Sequence, residues 1–272
     1  MKHFTRRGFL GAAALSAAST SFAKPGVPFK LGIATYSLRK LSRDKAIEAV
    51  QTCKVQYVSV KSFHMDYDTP PAELAKARKQ FNDAGITILS GGNVAMKEDT
   101  IDGLRRWFEY AKACGMPMMV CAPTNKNVHL VEKLVKEHNI KTAIHNHGPE
   151  DKEFPTPQSV LKAIRGMDPR VGLCVDVGHS TRTGVNIVSS IKETGSRLLD
   201  MHIKDLKNLS DKDSQCIVGE GAMPVKEILQ TLKAMNYTGG VMLEYEIDAD
   251  NPVPGMVKSF ANMRRILAGL ET

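Results

Sequence analysis

This sequence has little of what marks a disulfide scaffold, a dinucleotide site or a nucleic-acid groove. Its five cysteines are an odd number without a CxxC pair, and a chain of 272 residues needs no disulfide framework, so we expect them in the core. Aromatic residues make up only 6% and are not interleaved with the scattered basic residues, which argues against a nucleic-acid groove. No Gly-x-Gly-x-x-Gly follows the first apolar run, which disfavours a dinucleotide-binding open sheet.

The first 23 residues differ in character from the rest of the chain. The paired Arg6 and Arg7 precede Gly11–Ala18, an apolar run too short to span a bilayer, and small residues follow up to Ala23. This arrangement resembles a twin-arginine export signal, which is an address and not an anchor. We therefore expect a signal peptide over residues 1–23, a mature domain over residues 24–272, no membrane span and a periplasmic location. Without that segment the net charge falls from +8 to +5, too mild to indicate nucleic acid as a partner.

The remaining residues alternate short apolar runs with amphipathic helical patterns. Several runs are continuously apolar, as strands buried on both faces should be. About eight alternations over roughly 250 residues are typical of a closed (β/α)8 barrel. The sequence therefore predicts the α/β class with a single TIM barrel. The predicted strands are Lys30–Tyr36, Tyr57–Lys61, Ile86–Ser90, Met118–Ala122, Thr142–His145, Val171–Val175, Leu198–Ile203 and Val241–Glu244.

Polar side chains interrupt the carboxyl ends of four late strands in this pattern. The leading residues are separated by 31, 26 and 42 positions, about one β/α unit each. Catalytic groups of such barrels lie at this end, so the four side chains should meet, and two carboxylates with two imidazoles are costly to bury without a cation. Nitrogen and oxygen ligands without thiolate suit one divalent ion, Mn²⁺ first, with Fe²⁺, Co²⁺ and Zn²⁺ as alternatives. The predicted metal ligands are His145, Asp176, His202 and Glu244.

Taken in order over nearly the whole mature chain, these motifs resemble the xylose isomerase-like barrel superfamily, the sugar phosphate isomerases and epimerases. Asp176 stands in an Asp-x-x-His motif, His202 in His-x-Lys-Asp, and Glu244 ends the last strand. The superfamily includes epimerases, isomerases, inosose-type dehydratases, 3-oxo-glycoside lyases and endonuclease IV-type DNA repair enzymes. The repair class needs further histidines and an aspartate for three zinc ions, and this sequence lacks them. The resemblance implies a metal-dependent enzyme that acts on a sugar.

His145 departs from the family pattern. Epimerases of the superfamily have a glutamate at this place, which is a ligand and also one of two acid/base carboxylates. An imidazole still binds metal, but the pair of carboxylates that transfers protons on the two faces of the substrate is then incomplete. One-sided removal of a proton α to a ketone, with the metal as Lewis acid, is the more natural chemistry. Because export argues against phosphorylated metabolites, we expect a neutral keto-sugar or oxidised glycoside as the small-molecule partner.

Two reaction types and one binding function follow from the resemblance. The main hypothesis is a lyase: a 3-oxo-glucoside loses its C2 proton and then its aglycone from C1. The alternatives are an isomerase or epimerase and a metal-dependent sugar-binding module. The candidate acid/base groups, His147, Lys204 and Glu246, each stand two residues after a ligand and project to the same side of an extended strand. Alternatively, His147 orients a ligand, Lys204 is a partner of Asp176 or Glu244, and Glu246 orients a ligand or contacts a substrate hydroxyl.

Candidate substrate contacts come from the other strand ends and loops. Lys61 and His64 follow the second strand, where the resemblance implies polar groups at the mouth of the barrel. Tyr36 ends the first predicted strand, and Glu220 lies in the loop after the seventh. His179, three residues after Asp176, should turn toward substrate or metal. The sequence does not indicate an oligomeric state.

Overall fold

A computed structural model describes residues 26–270, and they form a closed barrel of eight parallel strands. The α/β class and the (β/α)8 barrel predicted from the alternating pattern are confirmed. The segment expected to be a signal peptide lies outside the described residues. The barrel strands are β1 (Lys30–Ala34), β2 (Tyr57–Val60), β3 (Thr87–Ala95), β4 (Met118–Ala122), β5 (Lys141–His145), β6 (Val171–Asp176), β7 (Leu198–Ile203) and β8 (Gly240–Leu243).

Each strand pairs with its sequence neighbours, and β1 closes the barrel against β8. The register sets Asp176 of β6 beside His202 of β7, and His202 beside Met242 of β8. Paired residues of parallel strands project to the same face, and residues two apart share that face. Glu244, two residues after Met242, is thereby directed to the interior with the histidine and the aspartate.

Nine α-helices connect the strands within residues 26–270. The predicted start of the fifth helix is confirmed, because Thr156 caps it through Ser159 N and Pro157 occupies its first turn. Pro224, in contrast, precedes the first residue of its helix. The helices are α1 (Arg43–Thr52), α2 (Pro71–Asp83), α3 (Ile101–Cys114), α4 (Val128–His138), α5 (Pro157–Ala163), α6 (Val177–Arg182), α7 (Ile187–Thr194), α8 (Val225–Ala234) and α9 (Val253–Ala268).

The core has two parts. A large cluster between strands and helices contains the buried rings of Phe81, Phe108 and Phe260. A small one, which includes Val120 and Cys174, lies on the face of the strands that also carries His145. The five cysteines are buried and free, as their number and spacing predict. This small apolar cluster lies below the strand ends that carry the predicted ligands.

Two strand boundaries differ from the prediction by more than one residue. The first strand ends at Ala34 instead of Tyr36, because Thr35–Leu38 turns into a 3-10 helix at the mouth. The third runs on to Ala95, past the predicted end at Ser90. A two-residue antiparallel pair, Asp205–Leu206 with Gln215–Cys216, follows β7. Among the described residues, no helix has the length and apolar character needed to cross a bilayer.

Candidate metal centre

The structure brings the four predicted ligands together at the carboxyl ends of β5 to β8. His145 Nε2 lies 3.0 Å from His202 Nδ1 and 3.7 Å from Asp176 Oδ2. His202 Nδ1 lies 3.2 Å from Glu244 Oε2. One ligand atom from each of the four residues falls within 4.8 Å of the other three, and all four residues are buried. This is the spacing at which four donors can share a single ion.

Asp176 reaches the centre because it also begins a helix. It is the N-cap of α6, and its Oδ1 accepts a hydrogen bond from His179 N at 2.8 Å. That bond fixes the carboxylate and leaves Oδ2 directed at the imidazoles. Asn146 ties the neighbouring strand end to the same turn: its Oδ1 accepts from Asp176 N at 3.1 Å, and its Nδ2 donates to Ser180 Oγ at 2.9 Å. Two adjacent strand ends are thus held in fixed relation.

The strand end at Glu244 is held by Gln215 from the short antiparallel pair after β7. Gln215 Nε2 donates to Glu244 O at 2.8 Å, and Gln215 Oε1 accepts from Glu246 N at 2.6 Å. Asp205 folds the loop that carries this glutamine, since its carboxylate accepts from the backbone N–H groups of Gly219 and Met223. The aspartate of the His-x-Lys-Asp motif therefore shapes the loop behind the centre.

Lys204 lies among three carboxylates. Its Nζ is 3.0 Å from Asp176 Oδ2, 2.8 Å from Glu244 Oε2 and 2.9 Å from Glu246 Oε2, and its side chain is only 3% exposed. Burial by itself would lower the pKa of Lys204, but the charges of Asp176, Glu244 and Glu246 outweigh it and hold that pKa well above its usual value. The ammonium therefore stays charged and offsets part of the carboxylate charge in the centre.

The two imidazoles differ in their protonation. Burial, followed by the charges of His147 and His202, lowers the pKa of His145 well below its usual value, so this ring is neutral with a free lone pair. For His202 burial acts in the same direction, but Cys174 and Glu244 outweigh it and raise the pKa. Burial would also raise the pKa of Glu244, yet His202 and Lys204 hold it well below its usual range. A cation at this place has a neutral imidazole and ionised carboxylates to bind.

The donor set fits a divalent cation on two further observations. His145 Nδ1, His202 Nε2 and Asp176 Oδ2 are buried without a hydrogen-bond partner among the described residues, although Asp176 Oδ2 has the ion-pair contact to Lys204. Buried polar atoms are normally paired, so the unpaired Asp176 Oδ2, 3.7 Å from His145 Nε2, is typical of a ligand site. The two unpaired nitrogens are the ring atoms opposite those that face the other ligands. The buried carboxylates outnumber the ammonium of Lys204, and a divalent ion would offset the remaining negative charge.

His147 lies beside the ligand set, with its ring centroid 4.3 Å from that of His145. Its Nδ1 is 3.4 Å from Asp151 Oδ2, and its Nε2 is 2.8 Å from Asn93 Nδ2. Burial, and then the charge of His179, lowers the pKa of His147. A neutral, partly exposed imidazole with a carboxylate at its second nitrogen has the arrangement of a positioned base.

His179 lies near the imidazoles of His145 and His147. Its ring centroid is 5.8 Å from that of His145 and 5.7 Å from that of His147. Arg182 Nη2 lies 2.9 Å from His179 Nδ1 and is itself paired with Glu150. The arginine thereby orients a third imidazole next to the ligand set.

The predicted substrate contacts divide into two groups. Lys61 lies at the mouth, where it donates to the backbone carbonyl of Asn93, and burial lowers its pKa. Tyr36 is half-buried there under the guanidinium of Arg39, 4.8 Å from the ring centroid. His64 is 1% exposed, with Nδ1 3.0 Å from Thr35 Oγ1.

Glu220 is exposed, and its charge acts on the buried Tyr245, whose hydroxyl lies 3.3 Å from Asp248 Oδ2. The structure thus brings Lys61, Tyr36 and His179 to the mouth, and it does not bring His64 or Glu220 to the ligand set.

Four positioning residues were not predicted. Asn146 and Asp205 carried a signal, because both lie inside the strand-end motifs. Asp151 lies in the loop after β5 and acts through a contact that only the fold creates. Gln215 had no signal, since it reaches the centre from a two-residue strand in a long connection.

A family model described as xylose isomerase-like TIM barrel matches residues 47–266. The chain belongs to this family. The resemblance predicted from the strand-end motifs is therefore confirmed, and family members named among the relatives are enzymes of carbohydrate metabolism. 3-Oxo-isoapionate decarboxylase of Pectobacterium atrosepticum is 24% identical over 225 residues, 76% of this chain and 75% of that protein. Inosose dehydratase of Clostridium tetani is 24% identical over 152 residues, 49% of this chain and 50% of that protein.

Other matches are shorter or show the fold alone. One further curated relative, an uncharacterised protein of Methanocaldococcus jannaschii, matches over only 31% of its length. The 3-keto-D-glucoside 4-epimerase YcjR from E. coli superposes with a TM-score of 0.72 at 13% identity, over 87% of this chain and 99% of that one. The IolI protein, solved with a bound zinc atom, superposes with a TM-score of 0.71 at 17% identity, over 89% and 99%. A zinc-binding structure thus shares this barrel.

Proposed function

We propose that this chain is a divalent-metal-dependent enzyme that removes a proton α to the ketone of an oxidised sugar, and that it eliminates the aglycone of a 3-oxo-glycoside. The observation that carries the proposal is the group of four buried ligand atoms within 4.8 Å of one another, beside His147 and the Lys204–Glu246 pair. A pure binding module has no need for acid/base groups around its ligands. The names of the relatives, which include a dehydratase, a decarboxylase and a 3-keto-glucoside epimerase, support a keto-sugar substrate.

The metal would be held by four side chains, and Mn²⁺ is the ion we expect, with Fe²⁺, Co²⁺ or Zn²⁺ as alternatives. When bound, such an ion supplies a Lewis acid for the substrate oxygens. The ligands we assign are His145, Asp176, His202 and Glu244.

His147 is the base in this proposal. Its neutral ring accepts the C2 proton of the substrate, and Asp151 stabilises the imidazolium through Nδ1. Asn93 Nδ2 now lies 2.8 Å from Nε2, so this amide must shift when Nε2 takes the proton. The C2 carbon of the substrate would therefore approach His147 Nε2 from the side on which Asn93 Nδ2 now lies.

Lys204 and Glu246 supply the acid. As the C2–H bond breaks, its electrons form the C1–C2 double bond, and the C1–O bond to the aglycone breaks. The leaving oxygen takes a proton from this pair, of which Glu246 is the partner with a partly exposed side chain. The products are the free aglycone and a conjugated enone sugar, and no water is consumed.

Epimerisation is the second candidate. The fold shared with the 3-keto-D-glucoside 4-epimerase favours it. Glu246 favours it too, because it supplies a carboxylate near the ligand set, although not at the position of His145 on β5. Lys204 or Glu246 would then return a proton on the other face of the same carbon.

One experiment separates these reactions and the binding module. Metal-loaded protein is incubated with 3-oxo-glucosides and with free ketoses in D₂O, and the products are read by NMR. We expect aglycone release, an enone signal and no solvent oxygen at C1 in ¹⁸O-labelled water. Rapid epimerisation without aglycone release would establish the alternative, and the absence of any proton exchange would leave a binding protein.

We also propose export of the chain by its first 23 residues. Arg6→Lys combined with Arg7→Lys should leave full-length protein in the cytoplasm, whereas the unchanged chain should be recovered from the periplasm with an N-terminus near Lys24. Recovery of Met1 on periplasmic protein would overturn the proposal, and with it the argument against phosphorylated substrates.

A further inference from the structure

The ammonium of Lys204 contacts oxygens that the ligand set also offers to a cation. Its Nζ lies 3.0 Å from Asp176 Oδ2 and 2.8 Å from Glu244 Oε2. These are the same two atoms that lie nearest the imidazoles, Oδ2 at 3.7 Å from His145 Nε2 and Oε2 at 3.2 Å from His202 Nδ1. An ammonium and a divalent ion therefore seek the same carboxylate oxygens.

Glu246 gives the ammonium a partner outside the ligand set. Its Oε2 is 2.9 Å from Lys204 Nζ, and its side chain is 36% exposed against 10% for Glu244. If the ligand oxygens turn to an ion, Lys204 keeps one ionic contact without leaving the site. The four-carbon stem of lysine makes this shift a small rotation.

We propose that Lys204 is a built-in counter-cation of the metal centre, which pairs Asp176 and Glu244 with each other until a divalent ion replaces it and then remains on Glu246. The inference rests on the proposed metal site and adds to it a function for this lysine. Two buried carboxylates repel each other unless a positive charge lies between them. The lysine thus keeps the ligands assembled, at the cost of weaker binding of the ion.

The test measures metal affinity, not turnover. Apo-protein is titrated with Mn²⁺ and with Zn²⁺ by calorimetry, and free Mn²⁺ is followed by electron paramagnetic resonance. Lys204→Met, which keeps the stem and removes the charge, should bind both ions roughly ten- to a hundredfold more tightly, because like charges about 4 Å apart repel strongly even near a protein surface. Lys126→Met is the matched control: it removes an exposed lysine that is paired with Asp99 and lies outside the ligand set, and it should change affinity less than about threefold.

Glu246→Gln should act in the opposite direction, because the ammonium then keeps only the ligand carboxylates as partners. The loss of the negative charge of Glu246 also weakens the attraction of the ion directly. Glu220→Gln, which removes the charge of an exposed carboxylate, controls for this general change of charge. The double variant, Lys204→Met with Glu246→Gln, separates competition by the ammonium from the direct loss of charge. If Lys204 competes with the ion, Glu246→Gln weakens affinity clearly more in the wild-type background than in Lys204→Met.

The outcomes are distinct. Tighter binding by Lys204→Met together with coupling to Glu246→Gln supports the inference. Unchanged or weaker binding by a folded Lys204→Met shows that the lysine only orients the ligands, and it overturns the inference while the metal centre stands. A wild-type chain that binds neither ion overturns the centre itself. If Lys204→Met does not fold, unchanged affinity in Glu246→Gln is sufficient to reject competition.

Discussion

The two halves of the barrel mouth are built differently. At the ends of β5 to β8, titratable side chains are buried and contact one another, with Lys204, Asp176 and Glu244 at 2.8 to 3.0 Å. At the ends of β1 to β3, polar side chains bond mainly to backbone or hydroxyl groups: Thr35 Oγ1 accepts from Lys61 N at 2.8 Å, and Lys61 Nζ donates to a carbonyl. The first half has an excess of carboxylate charge that a cation would offset, whereas the ammonium of Lys61 in the second half contacts a backbone carbonyl.

The difference assigns separate tasks to the two halves. Unbalanced buried charge is costly, so it is kept where a ligand compensates for it. The half formed by β1 to β3 instead presents the exposed ring of Phe63, 6.0 Å from that of Tyr36, which suits the apolar surface of a sugar or aglycone. The contact between Asn93 and His147 joins the halves, so the proposed base lies at their boundary.

The largest effect should follow from breaking the ligand half. His202→Ala and Asp176→Ala are each expected to lose the stoichiometric ion. Activity should fall with it, by more than the roughly 10- to 100-fold that is typical when a residue that only orients a metal ligand is removed. The fold should persist because the barrel core consists of other side chains. Elemental analysis and circular dichroism check this.

His64→Ala is the matched control for those variants, since His64 is equally buried but outside the ligand set. It should retain the ion. A stoichiometric ion in either ligand variant would refute the assignment.

The next effect lies at the boundary between the halves. His147→Ala should lower kcat by about 10²–10⁴-fold, as expected for a general base, and leave the ion in place. His129→Ala, an exposed histidine on α4, should change neither quantity. A kcat within a few-fold of wild type would transfer the role of base to Glu246 or Lys204, and steady-state kinetics with metal analysis decides between them.

A smaller effect is expected in the half formed by β1 to β3. Lys61→Met removes a charged donor from the mouth, and a charged hydrogen bond to a substrate oxygen is worth about 1.5–3 kcal/mol, so kcat/KM should fall roughly tenfold or more. Metal content should not change, because Lys61 is not among the ligands. Lys126→Met, an exposed lysine paired with Asp99, is the control. Loss of the ion from Lys61→Met would show that the two halves are not separate.

The sequence predicted the ligand half better than the other half for a physical reason. Buried strands are continuously apolar, so a polar residue at the end of one is conspicuous, and His145 and Glu244 were found in this way. Lys61 and His64 lie after a strand in a loop where polar residues are ordinary, and one reached the mouth while the other was buried against Thr35. Local pattern does not determine which way a loop side chain turns.

Contacts made across the barrel were beyond prediction for the same reason. Gln215 meets the backbone of Glu244, which lies 29 positions further along the chain, and Asp151 meets His147 only once the loop after β5 has folded. Neither residue has a spacing or a composition that distinguishes it from a surface residue. The ligand set required only the strand order, whereas these residues required the tertiary structure.

The smallest effect should appear below the ligands, where the halves also meet. Ser90 of β3 donates to Asp200 Oδ2 of β7 at 2.6 Å, and burial raises the pKa of the Asp200 carboxyl to about 6. Because this folded-state pKa lies above the unfolded value of about 3.9, the neutral carboxyl favours the fold below about pH 4, and that stability is lost as the pH rises through about 6. A difference of about two between the folded-state and unfolded-state pKa limits the loss in free energy of unfolding to about 3 kcal/mol.

Asp200→Asn removes the titrating group and keeps an acceptor for Ser90. In chelator-treated protein we therefore expect the free energy of unfolding of the variant, relative to wild type, to rise by about 1–2 kcal/mol between about pH 4 and pH 7. The gain is smaller than about 3 kcal/mol because burying the amide has a cost of its own. Urea unfolding at several pH values measures the difference in free energy of unfolding. A gain that does not depend on pH would mean that Asp200 is already ionised in the fold, and the buried contact between the halves would then be a charged one.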